Sequence, residues 1–147
     1  MDIASDIQRR LTEVTEKIEE SAVSSGRKNK DVQLIVVSKS QPINVIRAAI
    51  QAGVNVFGEN YPEESVPKVI ELSVFNVEWH MIGHLQSRKS RFVAEHFDYL
   101  QSLDSLKLAV RLNNQLAEKQ KILPALLEFN IGGEESKSGW LANDESQ

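Results

Sequence analysis

The sequence predicts an α/β fold with a parallel sheet, because short strand-like runs alternate with helix-like segments along the chain. Five runs are rich in β-branched and aliphatic residues, and amphipathic segments of helical period separate them. Polar residues follow each run, as expected where the carboxyl ends of parallel strands form a site. The pattern alone is compatible with a doubly wound sheet and with a barrel.

The first elements are an amphipathic helix, a strand and a second helix. Apolar residues at steps of three and four mark one face of the first helix, namely Ile3, Ile7, Leu11, Val14 and Ile18. Gly26 is expected to end it. Residues 32–38 (VQLIVVS) form a nearly unbroken apolar run, which predicts a strand covered on both faces. The next helix is expected to have Pro42 in its first turn and Gly53 at its C-terminal cap.

The same alternation continues through the rest of the chain. Further strands are predicted at residues 54–60, 77–83, 99–104 and 124–132. The intervening helices begin near Ser65, Ser90 and Ser105, with Pro67 in the first turn of the first of them. Asp104 is a good N-cap candidate for the last helix. We therefore expect one domain over residues 1–147, with five strands, four intervening helices and one helix in front.

Composition narrows the classes of function. The chain has 147 residues, of which 41% are hydrophobic and 26% charged, as in ordinary globular proteins. A net charge of −4 gives no cationic field for nucleic acid. The absence of cysteine excludes disulfides and thiolate metal sites, and a cytoplasmic location is the default. No window approaches the roughly 18 apolar residues that span a bilayer, so we expect no membrane association.

Polar residues at the predicted strand ends define a candidate site at one edge of the sheet. They are Ser38, Lys39, Glu59, Asn60, His80, His84, Gln101 to Asp104, Glu128 and Asn130. Lys39 is the most informative, because a lysine directly after a buried strand would be partly desolvated, and a desolvated amine is nucleophilic. A nucleophilic lysine suggests a Schiff base, although from the spacing alone a snorkelling rim lysine is the commoner explanation. A snorkelling rim lysine and an anion-binding lysine remain alternatives.

Other chemistries have less support. His80 and His84 are not a helical metal pair if residues 77–83 form a strand, and no third ligand stands nearby, so we expect no metal site. The chain has no GxSxG elbow, no Walker-type loop and no GxGxxG. Arg88, Lys89 and Arg91 are most simply interpreted as a solvated helix start.

Five segments, taken in order, resemble successive signatures of one protein family. They are IVVSKS (35–40), VFGENY (56–61), WHMIGHLQSRK (79–89), QSLDS (101–105) and EFNIGGEESKSGW (128–140). They are similar to the pyridoxal phosphate homeostasis protein family, whose fold is similar to the N-terminal barrel of alanine racemase. The resemblance implies a TIM-type (β/α)8 barrel, of which this chain has about five βα units and is C-terminally incomplete. It also implies pyridoxal 5'-phosphate held as a Schiff base, a role in vitamin B6 homeostasis, and no established catalytic reaction.

The resemblance also assigns site residues. Lys39 in VSKS matches the Schiff-base lysine of the family, and Asn60 in FGENY matches a polar neighbour of the cofactor. Val37 and His80 are expected to line the same pocket. Arg88 stands where the family usually has asparagine. The phosphate and pyridine-nitrogen contacts of the family come from later strand ends, which match nothing in this chain.

Two other functions remain alternatives: a pyridoxal-phosphate-dependent amino-acid racemase, and a barrel fragment without a function of its own. A racemase would need a second acid or base facing Lys39. Five strands cannot close a barrel. The 147-residue polypeptide is therefore expected to associate through open edges or to be marginally stable, and to bind the cofactor more weakly than a full-length relative. A full-length protein is expected to be a monomer.

Overall fold

A computed structural model of the chain describes residues 2–141. Within this range the helices are α1 (Ile3–Ser24), α2 (Ile43–Gln51), α3 (Pro62–Glu71), α4 (Ser90–His96) and α5 (Leu106–Glu118). The strands are β1 (Val36–Val37), β2 (Val56–Glu59), β3 (Glu78–Met81), β4 (Tyr99–Leu103), β5 (Ala125–Leu127), β6 (Phe129–Asn130) and β7 (Trp140–Leu141). Two short 3-10 helices cover Asn29–Asp31 and Ser87–Lys89. None of the helices described is both long and apolar enough to span a bilayer.

Strands β1 to β5 form one parallel sheet in chain order, and β6 pairs with β7 in a separate parallel ribbon. A helix connects each strand of the larger sheet to the next, as parallel pairing requires. The predicted α/β fold with a parallel sheet is confirmed. A doubly wound sheet reverses its strand order at a switch point, and β1 to β5 show no such reversal.

The hydrophobic core lies between this sheet and one layer of helices. Phe57 on β2 and Trp79 on β3 stack with ring centroids 5.2 Å apart, and both are almost fully buried. Buried residues from helices α2 to α5 pack in the same cluster, among them Ile46, Val69, Val93, Leu108 and Leu112. We call this side of the sheet the covered face and the opposite side the open face.

Strand β1 differs from its prediction. Only Val36 and Val37 pair with β2, and the side chain of Val37 is 48% exposed. The expectation of a long strand over residues 32–38, covered on both faces, is therefore wrong. Residues 29–31 form a 3-10 turn, and α1 packs Ile7 and Leu11 against the core nearby.

Helix α3 begins earlier than expected, whereas α5 begins near Ser105 as expected but has a different cap. Helix α3 begins at Pro62, whose missing N–H suits the first turn of a helix. Pro67 consequently lies inside the helix, where it cannot donate a helical hydrogen bond. Ser105 and not Asp104 caps α5, since its Oγ accepts a hydrogen bond from the N–H of Leu108 at 3.4 Å.

The strand predicted at residues 124–132 is divided at Glu128. The N–H of Glu128 donates to the carbonyl of Leu103 in the larger sheet, and its carbonyl accepts from the N–H of Trp140. The partner strand β7 was not predicted. It follows Gly139, which has φ +118° and leaves no space for a Cβ atom against the backbone of Asn130. Only glycine fits that turn without strain.

Candidate site at the carboxyl ends of the strands

The register of β1 to β4 arranges open-face residues in rows. One row, called the lower row, consists of Val37, Gly58, His80 and Tyr99, which are paired neighbours on adjacent strands. On β2, β3 and β4 the positions two residues further along point to the same face. They form the upper row, at the carboxyl edge: Asn60, Ile82 and Gln101, with Lys39 at the equivalent sequence position in the turn after β1. Val37, His80 and Asn60 thus belong to two consecutive layers of one face, and the contact of Lys39 with this face stays a prediction.

Lys39 occupies the turn that follows β1. The turn is closed by the N–H of Gln41, which donates to the carbonyl of Ser38 at 3.1 Å. The Lys39 side chain is exposed, and it forms no ion pair with any residue in the range 2–141. The expected partial desolvation is therefore wrong, because β1 is too short and too open at its end to bury an amine. The result is a primary amine that is free to meet a ligand.

Asn60 is held by a close approach of three strand ends. A Cβ atom at Gly83 would lie 2.6 Å from the carbonyl oxygen of Asn60, so the two backbones are in contact. The hydroxyl of Ser102 donates to the carbonyl of Gly83 at 2.6 Å and adds β4 to this group. The Oδ1 atom of Asn60 is buried without a hydrogen-bond partner among the described residues. Such an acceptor costs about 1 to 3 kcal/mol until a donor reaches it.

His80 lies beneath the upper row, with 2% of its surface exposed. Its ring stacks on Tyr99 with centroids 4.5 Å apart. The side-chain nitrogen of Gln101 lies 2.8 Å from Nδ1, and the carboxylate of Glu78 lies 2.5 Å from Nε2. Both nitrogens are used within the protein. His80 therefore supports Gln101 from below, and its direct contact with a ligand stays a prediction.

Glu59 is an exception to the expected convergence of strand-end residues. It pairs in register with Met81 on the covered face, and its carboxylate is 1% exposed between the sheet and α3. Its partners are Ser38, Ser65 and Lys68. Its predicted place in the site with Asn60 is wrong, because successive residues of a strand point to opposite faces. Sequence reasoning also missed Lys68, although a buried carboxylate requires a nearby cation.

A second group of polar residues lies at the ends of β3, β4 and β6. Nδ1 of His84 is 3.0 Å from the carboxylate of Asp104. His84, Glu128 and Asn130 also line a cavity of about 390 Å³. His84, Glu128 and Asn130 thus share one region, and its convergence with Asn60 and Gln101 on a single pocket stays a prediction. Within residues 2–141 no three His, Asp or Glu side chains cluster closely enough to hold a metal ion.

The basic residues that precede and begin α4 are engaged within the protein. Nζ of Lys89 lies 2.6 Å from the carboxylate of Glu63, and this hydrogen bond lowers the pKa of Glu63 below its ordinary value. Arg91 bonds Glu95 at 3.0 Å, and Arg88 donates to the side chain of Gln86. Arg88 and Arg91 are exposed, as expected for a solvated helix start. All three cations bond side chains within the protein.

The fold and these rows define an α/β protein with a parallel sheet and a free lysine at the end of its first strand. A scan of protein-family models finds no match. The chain is, however, 47% identical over 136 residues to the pyridoxal phosphate homeostasis protein of Haemophilus influenzae, covering 91% of this chain and 57% of that protein. It is 46% identical over 138 residues to the Escherichia coli K12 protein of the same name, covering 92% and 59%.

Solved structures are also similar to this chain. PipY of Synechococcus elongatus, solved without pyridoxal phosphate, superposes with a TM-score of 0.80 at 36% identity, covering 91% of this chain and 58% of that chain. The PipY structure with pyridoxal phosphate bound gives a TM-score of 0.77, covering 91% and 57%. An unknown protein from Bifidobacterium adolescentis gives 0.84 at 32% identity, covering 95% and 61%.

The chain is therefore homologous to the pyridoxal phosphate homeostasis proteins over more than nine tenths of its length, which confirms the resemblance seen in its motifs. It spans 57% to 59% of the length of the two curated relatives described above.

Proposed function

We propose that the chain binds pyridoxal phosphate through Lys39 and contributes to the intracellular homeostasis of that cofactor in the cytoplasm. The observation that supports this most is the position of Lys39, an exposed amine in the turn that directly follows β1, the strand paired with β2, after which Asn60 comes. The similarity to PipY, which has been solved with pyridoxal phosphate bound, supports the same ligand.

The residues of the two rows fit this cofactor. Pyridoxal phosphate supplies an aldehyde, which condenses with a primary amine and releases water. Lys39 provides the amine, and the unpaired Oδ1 of Asn60 provides an acceptor for a donor on the ligand. Val37 offers half-exposed apolar surface on the same face, and His80 holds Gln101 in place from below. The aldehyde would thus be held by Lys39 and oriented by its neighbours.

We further propose that β1 to β5 are one wall of a (β/α)8-type barrel and that the role is not catalytic. The sequential strand order and the single helix layer support the barrel, since a doubly wound sheet has helices on both faces. The relatives are named for homeostasis and not for a reaction. Racemisation of an amino acid by the cofactor-loaded chain, lost in Lys39→Ala, would contradict the second part of this proposal.

A titration with pyridoxal phosphate, followed by visible absorbance, tests the proposed binding. We expect a saturable spectral change in the wild type and its loss in Lys39→Ala, with an unchanged far-UV circular dichroism spectrum because the side chain is exposed in a turn. Lys107→Ala is the matched control, since Lys107 is an exposed lysine on α5, away from both rows. Equal spectral changes in all three proteins would contradict binding at Lys39.

A further inference from the structure

The turn that presents Lys39 is attached to a buried ion pair on the covered face. Nζ of Lys68 lies 3.1 Å from Oε1 of Glu59, with the two side chains 14% and 1% exposed. The hydroxyl of Ser38, the residue before Lys39, donates to the same Oε1 at 2.8 Å. Lys68 also donates to the carbonyl of Ser38 at 3.4 Å. Both ions of the pair therefore contact Ser38.

Ser38 is fixed at each of its polar groups. Its N–H donates to the carbonyl of Gly58 at 3.0 Å, and its carbonyl accepts from the N–H of Gln41, which closes the turn. Ser40, on the other side of Lys39, has φ +59°, a left-handed conformation that is uncommon for residues other than glycine. A turn with such a residue persists when its surroundings over-determine it. The contacts of Ser38 supply that constraint on one side of Lys39.

The remaining contacts of Glu59 fix the carboxylate itself. Oε2 lies 3.0 Å from the hydroxyl of Ser65, which is fully buried on α3. The same hydroxyl is 2.7 Å from the carbonyl of Tyr61, so its single hydrogen serves one of these acceptors at a time. With Lys68 and Ser38 on Oε1, the carboxylate connects the ends of β1 and β2 to α3. Hydrogen bonds to ionised groups are about twice as strong as neutral ones.

We infer that Glu59 and Lys68 are positioning residues that act through Ser38 to hold the Lys39 turn over the upper row. This inference rests on the proposed function, because it assigns the ion pair to the presentation of the cofactor-binding amine. Neither ion needs to touch the ligand, since both lie on the face opposite Asn60 and Gln101. They raise the fraction of molecules in which the turn holds Lys39 in its reactive conformation.

Ser38→Ala tests the inference, because it removes the hydroxyl and leaves the ion pair in place. Hydrogen exchange of the Gln41 amide, measured without cofactor, reports whether the turn opens. Loss of one hydrogen bond to a charged group predicts exchange that is faster by about tenfold. The rate at which borohydride traps pyridoxal phosphate on Lys39 should fall by a similar factor. Ser90→Ala is the matched control, since Ser90 is equally buried but its hydroxyl has no partner among the described residues.

The double variant Glu59→Gln with Lys68→Met removes both charges together and leaves no unpaired buried ion. It should speed Gln41 exchange in the same way. Unchanged Gln41 exchange in Ser38→Ala and in the double variant would overturn the inference, and so would faster exchange with an unchanged rate of trapping at Lys39. A wild-type chain that is never trapped at Lys39 would instead contradict the proposed function. The exchange measurement is independent of that outcome because it contains no cofactor.

Discussion

Gly83 is the residue on which the position of Asn60 depends. The atoms that a Cβ at this position would meet are the carbonyl oxygen, Cα and Cβ of Asn60, at 2.6, 2.8 and 3.0 Å. Two of these are backbone atoms, which cannot move without shifting the end of β2. The requirement for glycine here is one of space, because the neighbouring chain occupies the volume of a side chain.

Gly83→Ala is therefore expected to destabilise the protein by about 1 to 3 kcal/mol, the usual cost of inserting a methyl group where there is no room. It should also weaken pyridoxal phosphate binding, because Asn60 must move. Urea denaturation and the absorbance titration measure the two effects. Gly132→Ala is the control, since its nearest neighbour is the end of the flexible Glu134 side chain at 3.4 Å. Equal unfolding midpoints in the two variants would contradict this account.

At the scale of elements, helices α4 and α5 are joined at their C-terminal ends by a carboxylate. Glu95 on α4 bonds Arg91 on the same helix at 3.0 Å and Lys119, directly after α5, at 3.2 Å. Hydrogen bonds from Arg91 and then Lys119 lower the pKa of Glu95 below its ordinary value of 4.5. Glu95 is thus favoured in its charged form in the folded state.

The lowered pKa of Glu95 predicts a pH dependence. A carboxyl with a lower pKa in the folded state adds stability above its unfolded pKa, and that stability is lost as the pH falls through the folded value. Wild type should therefore exceed Glu95→Gln in urea midpoint at pH 7, and the difference should vanish as the pH falls below 4.5. Glu118→Gln is the control, since Glu118 has no ion-pair partner among the described residues. A difference that persists or grows at acidic pH would be inconsistent with this sign.

The cap of α5 gives a second test at this scale. Ser105→Ala removes the oxygen that accepts from the N–H of Leu108, and an N-cap of this kind is worth about 0.5 to 2 kcal/mol. We expect a loss of about 1 kcal/mol in the free energy of unfolding. Ser73→Ala should change it little, because the Ser73 side chain is exposed and makes no hydrogen bond in the structure described. Equal losses in both variants would show that Ser105 does not act as a cap.

For the whole molecule, the sequence predicted the alternation of helices and strands through β5. The hydrophobic periodicity and the turn residues, which are local properties of the sequence, encode this alternation. The bounds of β1 and the division at Glu128 depend on which neighbouring strand is available to pair, and that is not a local property. Strand alternation places Glu59 on the face opposite Asn60, and the sequence prediction, which grouped the two, did not apply it. The partner of Glu59, Lys68, comes from the opposing helix layer, so only tertiary packing could identify it.

Exposed apolar side chains give a prediction for the whole molecule. Leu126 and Leu127 on β5 and Phe129 on β6 are 59%, 56% and 52% exposed, so apolar side chains are exposed along both strands. The 147-residue polypeptide should therefore associate, with a light-scattering mass that rises with concentration. Leu126→Lys should reduce this rise, whereas Ile122→Lys changes an isolated exposed residue and should not. A monomeric mass at all concentrations would contradict the prediction.

Mass spectrometry after borohydride reduction of the chain with pyridoxal phosphate tests the central claim most directly, because it identifies the modified lysine. We expect Lys39 to be the principal site at substoichiometric cofactor and the Lys39→Ala variant to have no comparable site. A reduced adduct spread evenly over exposed lysines such as Lys30, Lys107 and Lys39 itself would contradict it. In that case the position of Lys39 beside Asn60 would not define a cofactor site.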